Sequence, residues 1–297
     1  MKILNIGSLN IDYTYSQDHI VAEGETLAAT KRTVNCGGKG LNQSIALAQA
    51  GAKVFHAGKI GAEGEFLKER IAKGGADVSL IKQSSEPTGH AIIQVDSRGR
   101  NSIVILGGAN QDITVEDIDT YLEGFEAGDL LLLQNETSNL EYAITAAKAK
   151  GMKIALNPSP IDEKLLSSKA LAEVDIFILN ETEGCALTGE SEPPKICSKM
   201  QELYGPCITM LTLGSKGCVY NDEEWTFAHD IYKVDAVDTT AAGDTFTGFF
   251  LASLMRGESP EQAIELASKA SSIAVTRPGA ADSVPTLSEV FTALYSR

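Results

Sequence analysis

LLLLQNETSNLEYAITAAKAKGMKIAL, residues 130 to 156, carries the fold in miniature. Leu130 to Gln134 form a short apolar run with no alternation, as expected of a strand buried on both faces. Leu140 to Lys150 then repeat at helical spacing. Gly151 supplies the stop, since glycine just past a helical run accepts a left-handed backbone. A second apolar run, Lys153 to Leu156, follows at once. Strand, helix and strand in so short a span describe a parallel crossover.

The same rhythm extends outward in both directions. Ile3 to Ile6, Lys53 to Gly58, Ile176 to Leu179 and Ile208 to Thr212 are further strand candidates. Helices are expected over Asn42 to Ala50, stopped by Gly51, and over Glu65 to Lys73, before Gly74. The fold class is α/β, with a mostly parallel sheet covered by helices on both faces. Two regions break the pattern. Asp12 to Val34 and Thr88 to Leu106 read as extended pairs, the second turning at Ser97-Arg98-Gly99-Arg100. They are expected to form a small sheet beside the main body of a single domain spanning 1–297. Such a sheet has a face to bury, and it suits a lid over a ligand, a dimer surface, or both.

Composition narrows the function. Of 297 residues 43% are hydrophobic and 22% charged, enough for one large core. A formal net charge of −15 argues against nucleic acid or an anionic membrane as partner, because those surfaces need clustered Lys and Arg. An anionic ligand must then be held locally, by backbone amides, a few cations and a metal. Cys36, Cys185, Cys197, Cys207 and Cys218 are odd in number and form no CxxC pair, which fits a reducing compartment. MKILNIGSLN reads as a first strand rather than a secretion signal, and no stretch approaches the roughly 20 apolar residues of a membrane span. A cytoplasmic protein is expected.

The strongest chemical signal is DTTAAGDTF, Asp238 to Phe246, followed by the apolar helical run TGFFLASLMRG. Small residues therefore sit at a helix N-terminus, where free N–H groups and the helix dipole favour an anion. Ala241, Ala242 and Gly243 are the candidate anion hole for a transferring phosphoryl group. Asp244, in the first turn, is placed to accept the proton of an attacking hydroxyl. A helix-capping acid is the plainer alternative for Asp244.

DTTAAGDTF together with GGKGLN, Gly37 to Asn42, closely resembles the paired signatures of the ribokinase (PfkB) family of carbohydrate kinases. The resemblance runs from GSLNID near the start to TRPGAADSVP near the end. It implies a three-layer α/β/α domain with a small β lid, ATP as phosphoryl donor, Mg²⁺, and a primary hydroxyl of a pentose as acceptor, D-ribose foremost. Asn10 and Asp12 match the family's sugar-binding pair, although an Asx turn explains the same residues. Gly38, Lys39 and Asn42 match its sugar-binding glycine loop, and a surface turn is the alternative there. Glu136, at a strand end, matches a further ribose contact; a solvated loop acid is its plainer reading.

Asn180 and Glu183, in NETE, match the motif that organises Mg²⁺, its waters and the triphosphate. Thr212, Gly214, Ser215 and Gly217, in TLGSKG, match the nucleotide loop, with Gly243 beside the phosphates and Ser268 near the adenine. Ser268 departs from the His or Asn common in the family. Asp238, Thr240, Ala274, Arg277, Gly279 and Ser283 align with a monovalent-cation site, for K⁺, which would order the anion hole. A homodimer formed through the β lid is the expected assembly.

The sugar set Asn10, Asp12, Gly38, Lys39, Asn42, Glu136 and Asp244 favours an unphosphorylated pentose over the other sugars that the family phosphorylates. Deoxyribose, a hexose or a sugar phosphate are the alternatives within the family. A silent sugar or nucleotide sensor would need neither Asp244 nor the anion hole. A nicotinamide dehydrogenase would need a GxGxxG opening the first helix, and none is present.

Overall fold

The computed structural model describes residues 1–295; the last two residues of the expected 1–297 domain lie outside the described residues. Thirteen strands fall into two sheets. The strands are β1 (Ile3–Ile6), β2 (Asn10–Ser16), β3 (Lys31–Gly37), β4 (Val54–Ile60), β5 (Asp77–Gln83), β6 (Gly89–Val95), β7 (Asn101–Leu106), β8 (Leu130–Gln134), β9 (Lys153–Asn157), β10 (Ile176–Asn180), β11 (Ile208–Thr212), β12 (Cys218–Asn221) and β13 (Thr226–His229). The helices are α1 (Lys39–Gln49), α2 (Glu65–Lys73), α3 (Val115–Leu122), α4 (Leu140–Ala149), α5 (Glu163–Leu166), α6 (Glu181–Thr188), α7 (Pro193–Tyr204), α8 (Ala242–Arg256), α9 (Pro260–Ala274) and α10 (Leu287–Tyr295).

The large sheet has nine strands in the order β13-β12-β11-β10-β9-β8-β1-β4-β5. Its pairs are parallel from β5 across to β11, and the β11–β12 and β12–β13 pairs are antiparallel. Alternate residues of each central strand enter opposite cores, as the pleat requires. Leu130 and Leu132 of β8 face one core, with Leu41 and Ile45 of α1 and Phe249 and Phe250 of α8. Leu131 and Leu133 face the other, with Ile118 of α3, Ile144 of α4 and Ile196 of α7. Three layers result, with α1, α2, α8, α9 and α10 on one side and α3 to α7 on the other.

The small sheet has the order β3-β2-β6-β7. Its central pair, β2 with β6, is parallel, and the flanking pairs are antiparallel. Asn10 begins β2 and pairs with Gly37 on one side and Gly89 on the other, so these three residues form the row where the small sheet meets the main body. Its far edge is apolar and open: Ile103, Val104, Ile105 and Leu106 of β7 are each about half exposed or more.

Several expected boundaries move. Helix α1 starts at Lys39 and not at Asn42, because Gly38 turns the chain at φ 96°, with the helix beginning directly after it. Gly74 stays right-handed after α2, and Gly75, at φ 99°, makes the left-handed turn. Helix α4 ends at Ala149, one residue early. Between Asp12 and Val34 only the flanks are extended, since residues 17–30 run outside the sheet. The edge strands β5 and β13, and β12 beside the latter, were not expected at all.

Candidate active site

Chain order reverses at β1, which lies between β4 and β8. In an open α/β sheet the crevice beyond the strand C-termini at such a point is where ligands collect. Ser8, Asn10 and Asp12 follow β1, and Glu136 follows β8. The Ser8 hydroxyl donates to Glu136 Oε2 and joins the two strand ends.

Glu136 also caps α1. The Lys39 N–H donates to Glu136 Oε2 (3.2 Å), the Gly40 N–H to Ser8 Oγ (3.2 Å) and the Leu41 N–H to the Ser8 carbonyl (3.0 Å). These partners satisfy the amides that a helix start otherwise leaves open. Gly38 is required here by geometry, because a Cβ would lie 2.8 Å from the Ser8 carbonyl oxygen at a positive φ. The glycine loop is therefore shaped by its approach to the β1 loop.

Asp12 sits two residues into the small sheet. Burial, reinforced by the nearby Glu136 carboxylate, pushes its pKa up to about 6. Burial also raises Glu136, against the hydrogen bond from Ser8 and the charge of Lys39. Burial pulls the Lys39 ammonium down, but the carboxylates of Asp244, Glu136 and Glu183 outweigh it and hold the group above the ordinary lysine value. One cation thus stands among several acids. Asn10 is fixed by Asn110, whose Nδ2 donates to Asn10 Oδ1 (2.8 Å), leaving the Asn10 amide N–H groups for a ligand. Asn110 is itself pinned, its Oδ1 accepting the Leu9 N–H (2.9 Å).

Asp244 lies in the first turn of α8 and is 8% exposed. Asn42 Nδ2 donates to its Oδ2 (3.0 Å) and Gln43 Nε2 to its Oδ1 (2.9 Å). The carboxylate does not cap its own helix with its side chain, because Ala241 holds the N-cap position and no side-chain cap bond forms. Of the three candidate amides, those of Ala241 and Gly243 have no backbone acceptor among the described residues. The Ala242 N–H is taken by the Thr239 carbonyl (3.2 Å) and the Thr245 N–H by Ala241 (2.9 Å). Among the described residues, the N–H groups of Gly243 and Asp244 have no backbone acceptor. A Cβ on Gly243 would meet nothing within 4 Å, and both residues border an open cleft.

Two adjoining clefts share this spot. The smaller, about 130 Å³, is lined by Lys39, Asn180, Glu183, Thr240, Gly243 and Asp244 among others. The larger, about 560 Å³, includes Thr212, Gly214, Ser215, Gly217 and Ser268, with Ile231 and Val234 on an apolar wall. Thr212 and Gly243 border both. Cys218 stands in the larger cleft, where burial pushes its thiol up to about 11, against a hydrogen bond with Ser268.

Asn180 and Glu183 form a capping box on α6: Asn180 Oδ1 accepts the Glu183 N–H (2.9 Å) and Glu183 Oε2 accepts the Asn180 N–H (3.0 Å). Glu183 Oε1 enters no hydrogen bond among the described residues. A magnesium ion that keeps most of its waters needs few protein oxygens, so this pair fits one. For the cation set, the Asp238 carboxylate accepts from the Thr240 N–H (3.0 Å), the Thr240 hydroxyl (2.5 Å) and the Gly279 N–H (2.9 Å). Those bonds hold Asp238 below the usual carboxylate range although burial alone would raise it. The Arg277 side chain turns away to Glu289 (2.6 Å), and the Ser283 hydroxyl donates to the Ala280 carbonyl (2.8 Å). The Ala274 carbonyl accepts the Arg277 N–H (3.0 Å), and no hydrogen bond links Ala274 or Ser283 to Asp238.

Ser8, Gln43, Asn110 and Asn157 were not expected in the site. Gln43 follows Asn42 directly, and neighbouring residues on a helix do not normally face one target. The Asp244 carboxylate reaches both by presenting one oxygen to each.

A three-layer α/β/α fold with a cleft of open amides, a carboxylate beside them and a lysine among acids is suited to transferring an anionic group to a hydroxyl. The model of the pfkB family of carbohydrate kinases matches residues 1–287, and the chain belongs to that family. It is 37% identical to a ribokinase of Haemophilus influenzae over 96% of this chain and 95% of the other. Among solved structures, the ribokinase of Thermotoga maritima superposes with a TM-score of 0.88 at 34% identity, covering 99% of both chains. The Arabidopsis thaliana ribokinase complexed with ribose and ATP superposes with a TM-score of 0.86 at 29% identity, covering 99% of this chain and 98% of that one.

Proposed function

We propose that this chain transfers the γ-phosphoryl group of ATP to the primary hydroxyl of D-ribose, giving D-ribose 5-phosphate and ADP. The observation that carries the reading is Asp244, held at both oxygens beside the open amides of Gly243 and Asp244. Ribose lies against Asn10, Asp12, Gly38, Lys39, Asn42 and Glu136, with its terminal hydroxyl toward Asp244. As the hydroxyl oxygen bonds to the γ-phosphorus, its proton passes to the Asp244 carboxylate and the bond to the β-phosphate oxygen breaks. The amides at the start of α8 take the negative charge of the transferring group, and Lys39 neutralises part of it.

Adenosine occupies the larger cleft, against Thr212, Gly214, Ser215, Gly217 and Ser268, with the base along Ile231 and Val234. Mg²⁺, held through Asn180 and Glu183, supplies charge neutralisation on the triphosphate when bound. Asp238, Thr240 and Gly279 tie the loop before α8 to the loop after α9, and K⁺ among the carbonyls of residues 274–283 would stiffen that tie. The open β7 edge suits a homodimer formed through the small sheet. Five unpaired cysteines suit a reducing cytoplasm.

A coupled ADP-release assay over ribose, deoxyribose, hexoses, a hexose phosphate and nucleosides, with and without K⁺, tests the reading. The highest kcat/KM should fall on ribose. A preference for deoxyribose or a phosphorylated sugar would overturn the choice of substrate.

A further inference from the structure

We propose that Gln43 is a positioning residue for Asp244, and that Gln134, which does not touch Asp244, fixes the direction in which the Gln43 amide points. The inference rests on Asp244 as the base. Gln43, Gln134 and Asn5 are wholly buried, and none of them lines either cleft, so none can act by touching ligand.

Their hydrogen bonds run in a single sense. A side-chain amide offers two N–H donors and one carbonyl acceptor. Asn5 Nδ2 spends both donors, on the Gly40 carbonyl (2.8 Å) and Ser44 Oγ (2.8 Å), which leaves its oxygen toward Gln134. Gln134 Nε2 then donates to Asn5 Oδ1 (3.0 Å) and Gln43 Oε1 (2.7 Å). With its oxygen held there, Gln43 has its nitrogen facing Asn157 Oδ1 (3.1 Å) and Asp244 Oδ1 (2.9 Å). Rotating the Gln43 amide would set its oxygen against the Asn157 and Asp244 oxygens at one end and its nitrogen against the Gln134 nitrogen at the other, with all of these groups buried or half-buried. The chain continues from Ser44 Oγ to His56 Nδ1 (2.8 Å), and burial keeps that imidazole neutral, with a pKa near 4.

The effect at Asp244 is geometric. Asn42 at one oxygen and Gln43 at the other define the plane of the carboxylate, and the remaining lone pairs are left for the cleft. Asn42 is also placed to meet the sugar. Gln43 is the anchor whose contacts do not change when sugar arrives.

The test compares Gln43→Glu with Asp244→Asn and the parent enzyme. Gln43→Glu keeps the shape and the acceptor for Gln134 but replaces the donor to Asp244 with a second carboxylate. Its kcat should fall on the order of 10- to 100-fold, as for a misaimed reacting group. The acid limb of its kcat–pH profile should move upward, since a like charge raises proton affinity. Ribose and ATP dissociation constants should stay within about threefold of the parent, because no ligand contact is lost. A folded Gln43→Glu protein with parental kcat and pH profile overturns the proposal.

Should that variant not fold, Gln43→Met removes the donors without burying a charge and should show the same kcat loss at unchanged ribose affinity; parental kcat again overturns it. Side-chain amide resonances of the parent protein decide the matter with residue 43 intact: a buried glutamine pair must shift on Asp244→Asn, and none shifting overturns the proposal. Full turnover by Asp244→Asn would instead sink the base assignment, separately from the role of Gln43.

Discussion

Asp244 is gripped by two neutral amides on one side and open to the cleft on the other. Replacing it with Asn keeps the shape and removes the proton acceptor. Asp244→Asn should lower kcat by on the order of 10² to 10⁴ while ATP still binds, as measured by turnover beside nucleotide titration. Asp12 makes a second prediction at this scale. Burial pushes its pKa up to about 6, from the ordinary aspartate value of 3.8. A raised carboxyl pKa means the acid form is favoured in the fold. The associated stability is fully present below the unfolded value and is lost as pH rises through about 6. At pH 7.5 the charge therefore works against the folded state, and Asp12→Asn should raise the melting temperature of the ligand-free protein by roughly 2–4 °C. In the parent, the KM for ribose should rise as pH falls from 7 to 5, because protonation removes an acceptor for sugar hydroxyls. A KM flat across that range would separate Asp12 from sugar binding.

At the scale of elements, the site is the crossing of α1 and α8. Asn42 and Gln43 come from one and Asp244 from the other, and one turn further along each helix Ala46 meets Gly248. A Cβ on Gly248 would lie 2.4 Å from Ala46 Cβ and 2.7 Å from the Leu47 backbone nitrogen, so the helices would have to part. Gly248→Ala gains up to about 1 kcal/mol of helix propensity. Overpacking should exceed that gain and leave a net loss of about 1–3 kcal/mol in urea unfolding, with kcat reduced because Asp244 is carried away from Gln43. The central strands and α8 were legible in the sequence because they are buried on all sides and read as unbroken apolar runs. β5, DVSLIKQ, escaped because an edge strand with one wet face alternates and carries charges. β12 and β13 are four residues each, too short to show a period. For the candidate site, Asn10, Asp12, Lys39, Asn42, Glu136 and Asp244 were singled out by motif. Ser8, Asn110 and the Gln43–Gln134 pair were not, because their partners are 90 or more residues away in the chain and only the fold brings them together.

Across the whole molecule, two sheets of different character meet at the proposed sugar site. The small sheet leaves Ile103, Val104, Ile105 and Leu106 open along β7. If that edge pairs with a second copy, Ile105→Lys should shift the protein from dimer to monomer in sedimentation equilibrium; an unchanged mass would remove the small sheet as the interface. The chain passes between the two bodies through the segments 7–9, 38, 84–88 and 107, so the small sheet is joined at several points and should move as one piece. Ribose should draw it over the cleft and exclude water, seen as a smaller radius of gyration by small-angle scattering. No compaction with ribose would count against a lid.

The row of Asn10, Gly37 and Gly89 then takes on a further meaning. If the small sheet swings so, Asn10 lies on the axle and Asp12 on the swinging leaf, and the groups proposed to read the sugar's hydroxyls would be carried by the same strand that shuts the chamber. A sugar lacking one of those hydroxyls would lodge without drawing the leaf down, and selectivity among pentoses would be expressed in how often a bound sugar reacts rather than in how tightly it is held.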